Sequence, residues 1–89
     1  MKELCNALVS AYPTLNWFAF GEAKRLAADV HAAVTGYRKD GEANRDKLVD
    51  VGNRVMTFLS GSGTEEANRH YHAIWVVLEK HGCRNGVAA

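Results

Sequence analysis

The stretch Tyr71–Lys80 reads Tyr-His-Ala-Ile-Trp-Val-Val-Leu-Glu-Lys, and the six residues Ala73–Leu78 within it are all apolar. Successive side chains of an α-helix are about 100° apart, so six in succession point in every direction around the helix axis. A helix that is wet on one side could not shelter all of them. The sequence therefore predicts either a helix at the centre of a bundle or a helix whose outer side is covered by a second chain.

A strand is the alternative conformation for Ala73–Leu78, because Ile, Trp and Val favour sheets. The flanking residues favour a helix instead. Thr64 is a good N-cap, two glutamates follow it in the first turn, and Gly82 stands where a left-handed C-terminal residue is expected. No second strand is visible to satisfy the backbone hydrogen bonds of a lone strand. We therefore expect a helix over Glu65–His81.

Upstream, apolar residues at spacings of three and four predict three further helices. A short first helix covers Lys2–Tyr12 and ends at Pro13, because proline disfavours helical geometry in the residue before it. Thr14 or Asn16 then caps a second helix, which opens with the aromatic-dense segment Leu15–Phe20.

A turn at Lys39–Gly41 leads into a third helix, predicted over Glu42–Ser60. Gly52 in its middle costs about 1 kcal/mol relative to alanine. It marks either a loose position in the helix or a close crossing where another backbone approaches, and the close crossing is the more useful interpretation. Short turns make neighbouring helices antiparallel, so the predicted fold is a small all-α antiparallel bundle of about four helices, with a short first helix and three longer ones. Residues 1–89 are expected to form a single helical domain in which 83–89 are a frayed tail.

Composition limits the classes of function. The 89 residues carry 11 basic and 10 acidic side chains, for a net charge of +1, which gives no long-range field to attract a phosphate backbone. Cys5 and Cys83 are too few for a disulfide framework and indicate reduced thiols in a cytoplasmic protein, with a bridge between them as the alternative. We expect no signal peptide, because polar Asn6 and Ser10 interrupt the segment that follows Met1–Glu3. We also expect no membrane association, because the longest apolar run is far below the roughly 20 residues that cross a bilayer. A chain this short has a thin margin of stability, and self-association is a common remedy.

The titratable residues do not form a pattern typical of catalysis or metal binding. His70 and His72 are two positions apart and point to opposite sides of a helix, whereas metal-binding pairs on a helix need spacings of three or four. Cys5 and Cys83 have no evident third group to orient a neighbouring histidine as a base. We therefore predict no catalytic residue, no metal site, no cofactor and no enzymatic activity.

The number of aromatic residues favours a protein-binding function, because a small bundle has a limited interior and this chain has two Trp, three Phe and three Tyr. The aromatic side chains around Trp17 cannot all face inward from one helix, and Trp75 points away from the stripe that contains Ile74 and Leu78. Aromatic residues anchor many interfaces, although the same residues could merely fill the ends of the core. The predicted partner-binding residues are Trp17, Phe18, Phe20, Tyr71, Trp75, Val76 and Arg69. The predicted partner is another protein, including a second copy of this chain in a homodimer. Small helical proteins without motifs are often adaptors, chaperone-like subunits, or inhibitors encoded by phages and other mobile elements.

DNA binding is the alternative function. The third and fourth predicted helices, joined by a short glycine-containing turn, are a candidate helix-turn-helix in which Asn68, Arg69, His70 and His72 could read bases. Two glutamates at the start of the Glu65–His81 helix would face the phosphates, and the net charge is near zero. Both observations make nucleic acid the less favoured partner.

Overall fold

The first helix, α1 (Lys2–Phe18), runs through Pro13 and is longer than the sequence predicts. The computed structural model describes residues 2–18 and 21–81. A proline inside a helix removes one backbone hydrogen bond and crowds the preceding turn, at a cost of about 3 kcal/mol. Leu8 before Pro13 and Leu15 after it are both fully buried, and burying one such side chain contributes about 1.5–3 kcal/mol. Packing thus outweighs the local preference, and the expectation that this helix ends before Pro13 is wrong.

The second helix, α2 (Gly21–Lys39), starts six residues later than the sequence predicts. Thr14 and Asn16, expected as N-caps, lie inside α1 instead. Gly21 has a φ of +51°, a left-handed conformation that glycine adopts without the steric cost of a side chain. The aromatic segment expected to open the second helix is therefore divided. Its first four residues belong to α1, and Phe20 lies outside the described residues.

The last two helices, α3 (Gly41–Ser60) and α4 (Glu65–Lys80), lie within a residue of their predicted positions. Because α2 ends at Lys39 and α3 begins at Gly41, only Asp40 separates them. The roles expected of Gly82 and of the tail 83–89 fall outside the described residues.

Side-chain caps explain where α3 and α4 begin. The carboxylate of Asp40 accepts a hydrogen bond from the backbone N–H of Ala43 at 3.3 Å. The hydroxyl of Thr64 accepts one from the backbone N–H of Ala67 at 3.1 Å, which confirms the predicted cap of α4. Each cap satisfies a donor that the first turn of a helix leaves without an intrahelical partner.

The four helices form the all-α bundle that the sequence predicts, and no strand occurs in residues 2–18 or 21–81. Helices α1 and α3 each pack against both α2 and α4, whereas α2 and α4 are not in contact. Helices α1 and α4 run in opposite directions, because Glu3 pairs with Lys80 at 3.1 Å and Thr14 lies 3.3 Å from Glu66. The hydrogen bond and charge of Lys80 lower the pKa of Glu3. Because α1 packs against both α2 and α4, its outer side is flanked by α2 on one side and by α4 on the other.

The core is aliphatic and draws on all four helices. Its largest fully buried side chains are Leu4, Leu8, Leu15, Leu26, Val30, Leu48, Val55, Met56, Leu59, Ile74 and Leu78. A Cβ atom added at Gly52 would lie 3.3 Å from Cδ1 of Leu4. The close approach expected at Gly52 is thus made by a leucine side chain and not by another backbone.

Candidate interaction surface

The apolar run of α4 lies at the edge of the bundle and not at its centre. Ile74 and Leu78 are buried, Trp75 and Val77 are half-buried, and Val76 is 45% exposed. The part of the chain that the structure describes therefore does not shelter this run on all sides. Of the two arrangements that the sequence allows, the central position is wrong.

Two of the predicted binding residues on α4 are tied mainly to the fold. Tyr71 and Trp75 are half-buried and pack against the core. The imidazole ring of His72 stacks on the indole of Trp75, with ring centroids 5.9 Å apart and planes 7° from parallel. Of the four predicted binding residues on α4, only Val76 and Arg69, seven residues apart, are exposed.

The other predicted cluster centres on Trp17, which is 78% exposed near the end of α1. The side chain of Phe18 and the whole of Phe20 lie outside the described residues, so of this cluster only Trp17 is placed. Trp17 is the most exposed of the large hydrophobic side chains in the described part of the chain.

Trp17 borders a groove between α1 and the start of α4, which we call the acidic groove. It has a volume of about 500 Å³ and is lined by Pro13, Thr14, Trp17, Thr64 and Glu66. The Thr14 hydroxyl, itself buried, donates a hydrogen bond to Oε1 of Glu66 at 3.3 Å. The carboxylate of Glu66 nevertheless keeps 63% of its side-chain surface exposed. The groove therefore combines an indole, a proline ring and one accessible negative charge.

Continuation of α1 through Pro13 creates an apolar row that the sequence reading missed. Val9, Pro13 and Trp17 are four residues apart in succession, so they lie along one side of the helix over about 12 Å. All three are exposed, Val9 by 43%. We call these residues the α1 row. The spacing of four was visible in the sequence, but ending the helix at Pro13 separated Val9 from Trp17.

A second groove, which we call the basic groove, lies on the other side of Pro13, between α1 and α2. Its volume is about 550 Å³, and it is lined by Val9, Tyr12, Pro13, Val30, His31, Val34, Thr35 and Arg38. The rings of Tyr12 and His31 contact each other at a centroid distance of 6.5 Å. Its one permanently charged residue is Arg38, which is exposed. Pro13 belongs to both grooves, so the α1 row has an acid on one flank and a base on the other.

Three of the four residues predicted to read DNA line a cleft at the start of α4. This cleft contains Asn68, Arg69 and His72 together with Glu65 and Glu66. His70 turns inward, with 18% of its side chain exposed and Nε2 located 3.9 Å from Glu66. Two carboxylates therefore share the surface that would have to meet phosphates.

The described residues contain no cluster of three or more His, Cys, Asp or Glu that could hold a metal ion. Cys5 is buried at 3% exposure, and burial raises the pKa of its thiol. A raised pKa disfavours the thiolate, which is the reactive form of cysteine. Cys83 lies outside the described residues.

No helix within residues 2–18 or 21–81 combines the length and the hydropathy that a membrane-spanning segment needs. Compared with models of known protein families, with curated proteins and with solved structures, the chain gives no significant match.

Proposed function

We propose that this protein is a non-enzymatic protein–protein interaction module that binds its partner through the exposed outer side of α1. The observation that carries the proposal is the α1 row, in which Val9, Pro13 and Trp17 are exposed together along one helix face. The two grooves that flank this row are concave and partly apolar, so side chains of a partner can fill them. Adaptors, chaperone-like subunits and inhibitors all act by docking of this kind.

Trp17 supplies most of the expected binding energy. A tryptophan side chain offers about 150–250 Å² of surface for burial, and 78% of it is exposed. At about 25 cal/mol per Å², covering that surface contributes about 3–5 kcal/mol before the costs of association. Glu66, at the rim, would set orientation and association rate more than affinity.

The outer side of α4 is the competing surface for the same function, because it carries Val76 and Arg69. It is the weaker candidate, since its two aromatic residues, Tyr71 and Trp75, are already half-buried against the core. Their role in binding stays a prediction and would be limited to their exposed edges.

A pair of valine substitutions separates the two surfaces. Val9 and Val76 are exposed to nearly the same extent, 43% and 45%, and serine has a helix propensity close to that of valine. Val9→Ser and Val76→Ser should therefore perturb the fold equally little. The wild-type protein and each variant are tagged and used to isolate partners from the native host, with circular dichroism as a check on helical content.

We expect Val9→Ser to reduce recovery of the partner and Val76→Ser to leave it unchanged. Trp17→Ser should abolish recovery, because truncation of an interface anchor typically costs about 2 kcal/mol or more. Equal recovery with wild type and Trp17→Ser would reject the α1 row as the binding surface. Loss of recovery with Val76→Ser alone would transfer the function to α4.

DNA binding by α3 and α4 stays the alternative. Glu65 and Glu66 line the same cleft as Arg69, so the protein interaction is the better supported of the two. Binding to duplex DNA that weakens steeply with salt and depends on Arg69 would support the alternative.

A further inference from the structure

We infer that the partner of the α1 row is a second copy of this chain, and that the two copies meet about a two-fold axis at Pro13. This inference rests on the proposed function and deepens it by naming the occupant of the surface. The supporting observations are the position of Pro13 between two grooves, the opposite charges of those grooves, and the exposed Trp17 that borders one of them.

The arrangement of the two grooves is self-complementary. Glu66 lines the acidic groove on the α4 side of α1, and Arg38 lines the basic groove on the α2 side. A two-fold axis lying in the interface and perpendicular to the line from Arg38 to Glu66 exchanges these two positions. It therefore places Arg38 of each copy over Glu66 of the other, as an isologous interface requires. Pro13, shared by both grooves, stays at the centre, where the two α1 helices cross.

The same operation matches a projection to a depression. Trp17 borders the acidic groove and is 78% exposed. The basic groove has apolar walls from Tyr12, Val30 and Val34 and a volume of about 550 Å³. Exchange of the two grooves brings Trp17 of one copy to the mouth of the basic groove of the other, and the reverse contact forms by symmetry. Each copy thus supplies one anchor and one pocket.

Charges at this interface would favour the symmetric pairing over a parallel stacking of like grooves. A parallel stacking would place Glu66 against Glu66 and Arg38 against Arg38, and like charges brought together at an interface are strongly unfavourable. Both side chains are exposed in the single chain, so neither has to leave a buried environment in order to pair across the interface.

Charge reversal at these two positions tests the pairing. Sedimentation equilibrium measures the dissociation constant of the wild type, of Arg38→Glu, of Glu66→Arg, of an equimolar mixture of the two single variants, and of the double variant. Each single variant creates two repulsive pairs in its own homodimer, so its dissociation constant should rise at least about tenfold. In the mixture every pair is attractive again, and so are both pairs of the double variant, so association should return in both samples. Lys47→Glu, an exposed reversal on α3, is the matched control and should leave the dissociation constant unchanged.

The outcomes separate this inference from the proposed function. A wild-type chain that stays monomeric at about 1 mM, where association would be worth only about −4 kcal/mol, overturns the self-pairing. The proposed function is then decided by whether Trp17→Ser reduces recovery of the partner from the native host. A dimer that is insensitive to both reversals also overturns it, because the copies then meet elsewhere. A dimer that is equally insensitive to Trp17→Ser overturns self-pairing at the α1 row, and it likewise leaves the proposed function to the test of partner recovery. Circular dichroism of the double variant shows whether the reversals themselves affect folding.

Discussion

Replacing Pro13 by alanine should stabilise this protein. Proline inside a helix is about 3 kcal/mol less favourable than alanine, and α1 continues for five residues beyond Pro13. The side chain of Pro13 is exposed, so the substitution removes little packing. Alanine also makes the unfolded chain more flexible, which reduces the gain in the free energy of unfolding by about 0.4–1 kcal/mol. The net gain should be about 2 kcal/mol, or roughly 10 °C in Tm for a domain of this size.

Urea unfolding followed by circular dichroism measures this gain directly. The comparison is made in a Trp17→Ser background, so that association through the α1 row does not contribute to stability. Asn16→Ala is the matched control, because Asn16 is also exposed in α1 and its replacement should add no more than about 0.7 kcal/mol. An unchanged or lower stability of Pro13→Ala would mean that the chain is not helical at Pro13, and the α1 row would then not exist.

Three further predictions concern the helix cap, the buried thiol and the ion pair at the end of the bundle. Thr64→Ala should lower the free energy of unfolding by about 1 kcal/mol because a helix donor loses its acceptor, whereas Thr64→Ser should have little effect; equal losses in urea unfolding would argue against the cap. In a Cys83→Ser background, Cys5 should react with iodoacetamide only when the chain unfolds, since its thiol is buried and has a raised pKa; reaction of the native protein at the rate of a small thiol contradicts this. Because Lys80 lowers the pKa of Glu3 below its ordinary value of 4.5, the stabilisation from this pair is present above that pH and is lost as the pH falls below it. The Tm difference between wild type and Glu3→Gln should therefore shrink in acid, and a difference that is independent of pH would exclude this pair as its source.

The second half of the fold follows closely from local sequence signals. Thr64 caps α4 as its position before two glutamates predicts, and Asp40 caps α3 at the predicted turn. In both cases the local preference and the tertiary packing favour the same boundary. Agreement between the two is what makes a helix end readable from a single sequence.

The first half could not be read in this way because local and tertiary preferences conflict. Proline disfavours a helix at Pro13, yet α1 continues beyond it and Leu15 is fully buried in the core. The proline costs about 3 kcal/mol and burial of one leucine contributes about 1.5–3 kcal/mol. The two effects are of comparable size, so no local rule decides between them. The error also concealed the site, since Val9 and Trp17 share a face only when one helix contains both.

The neighbours of α4 could not be predicted from the sequence for a different reason. Six apolar residues in succession indicate that the helix needs cover on every side, but they do not indicate which neighbours provide it. Trp75 packs against the core, and the imidazole of His72 stacks on its ring. The helix can therefore have an outer side that is exposed to solvent. Which of the two aromatic clusters remains exposed depends on how four helices pack, and periodicity alone does not contain that information.

The emission of Trp17 tests most directly whether the α1 row is covered when the protein binds. In a Trp75→Phe variant Trp17 is the one remaining tryptophan, because the chain has two. Its emission should begin at the wavelength of a hydrated indole, as its 78% exposure requires. The emission should then move to shorter wavelength as protein concentration rises. The midpoint of this shift should agree with the dissociation constant measured by sedimentation equilibrium. Association that leaves this emission unchanged would contradict the account, because the copies would then be joined without covering Trp17.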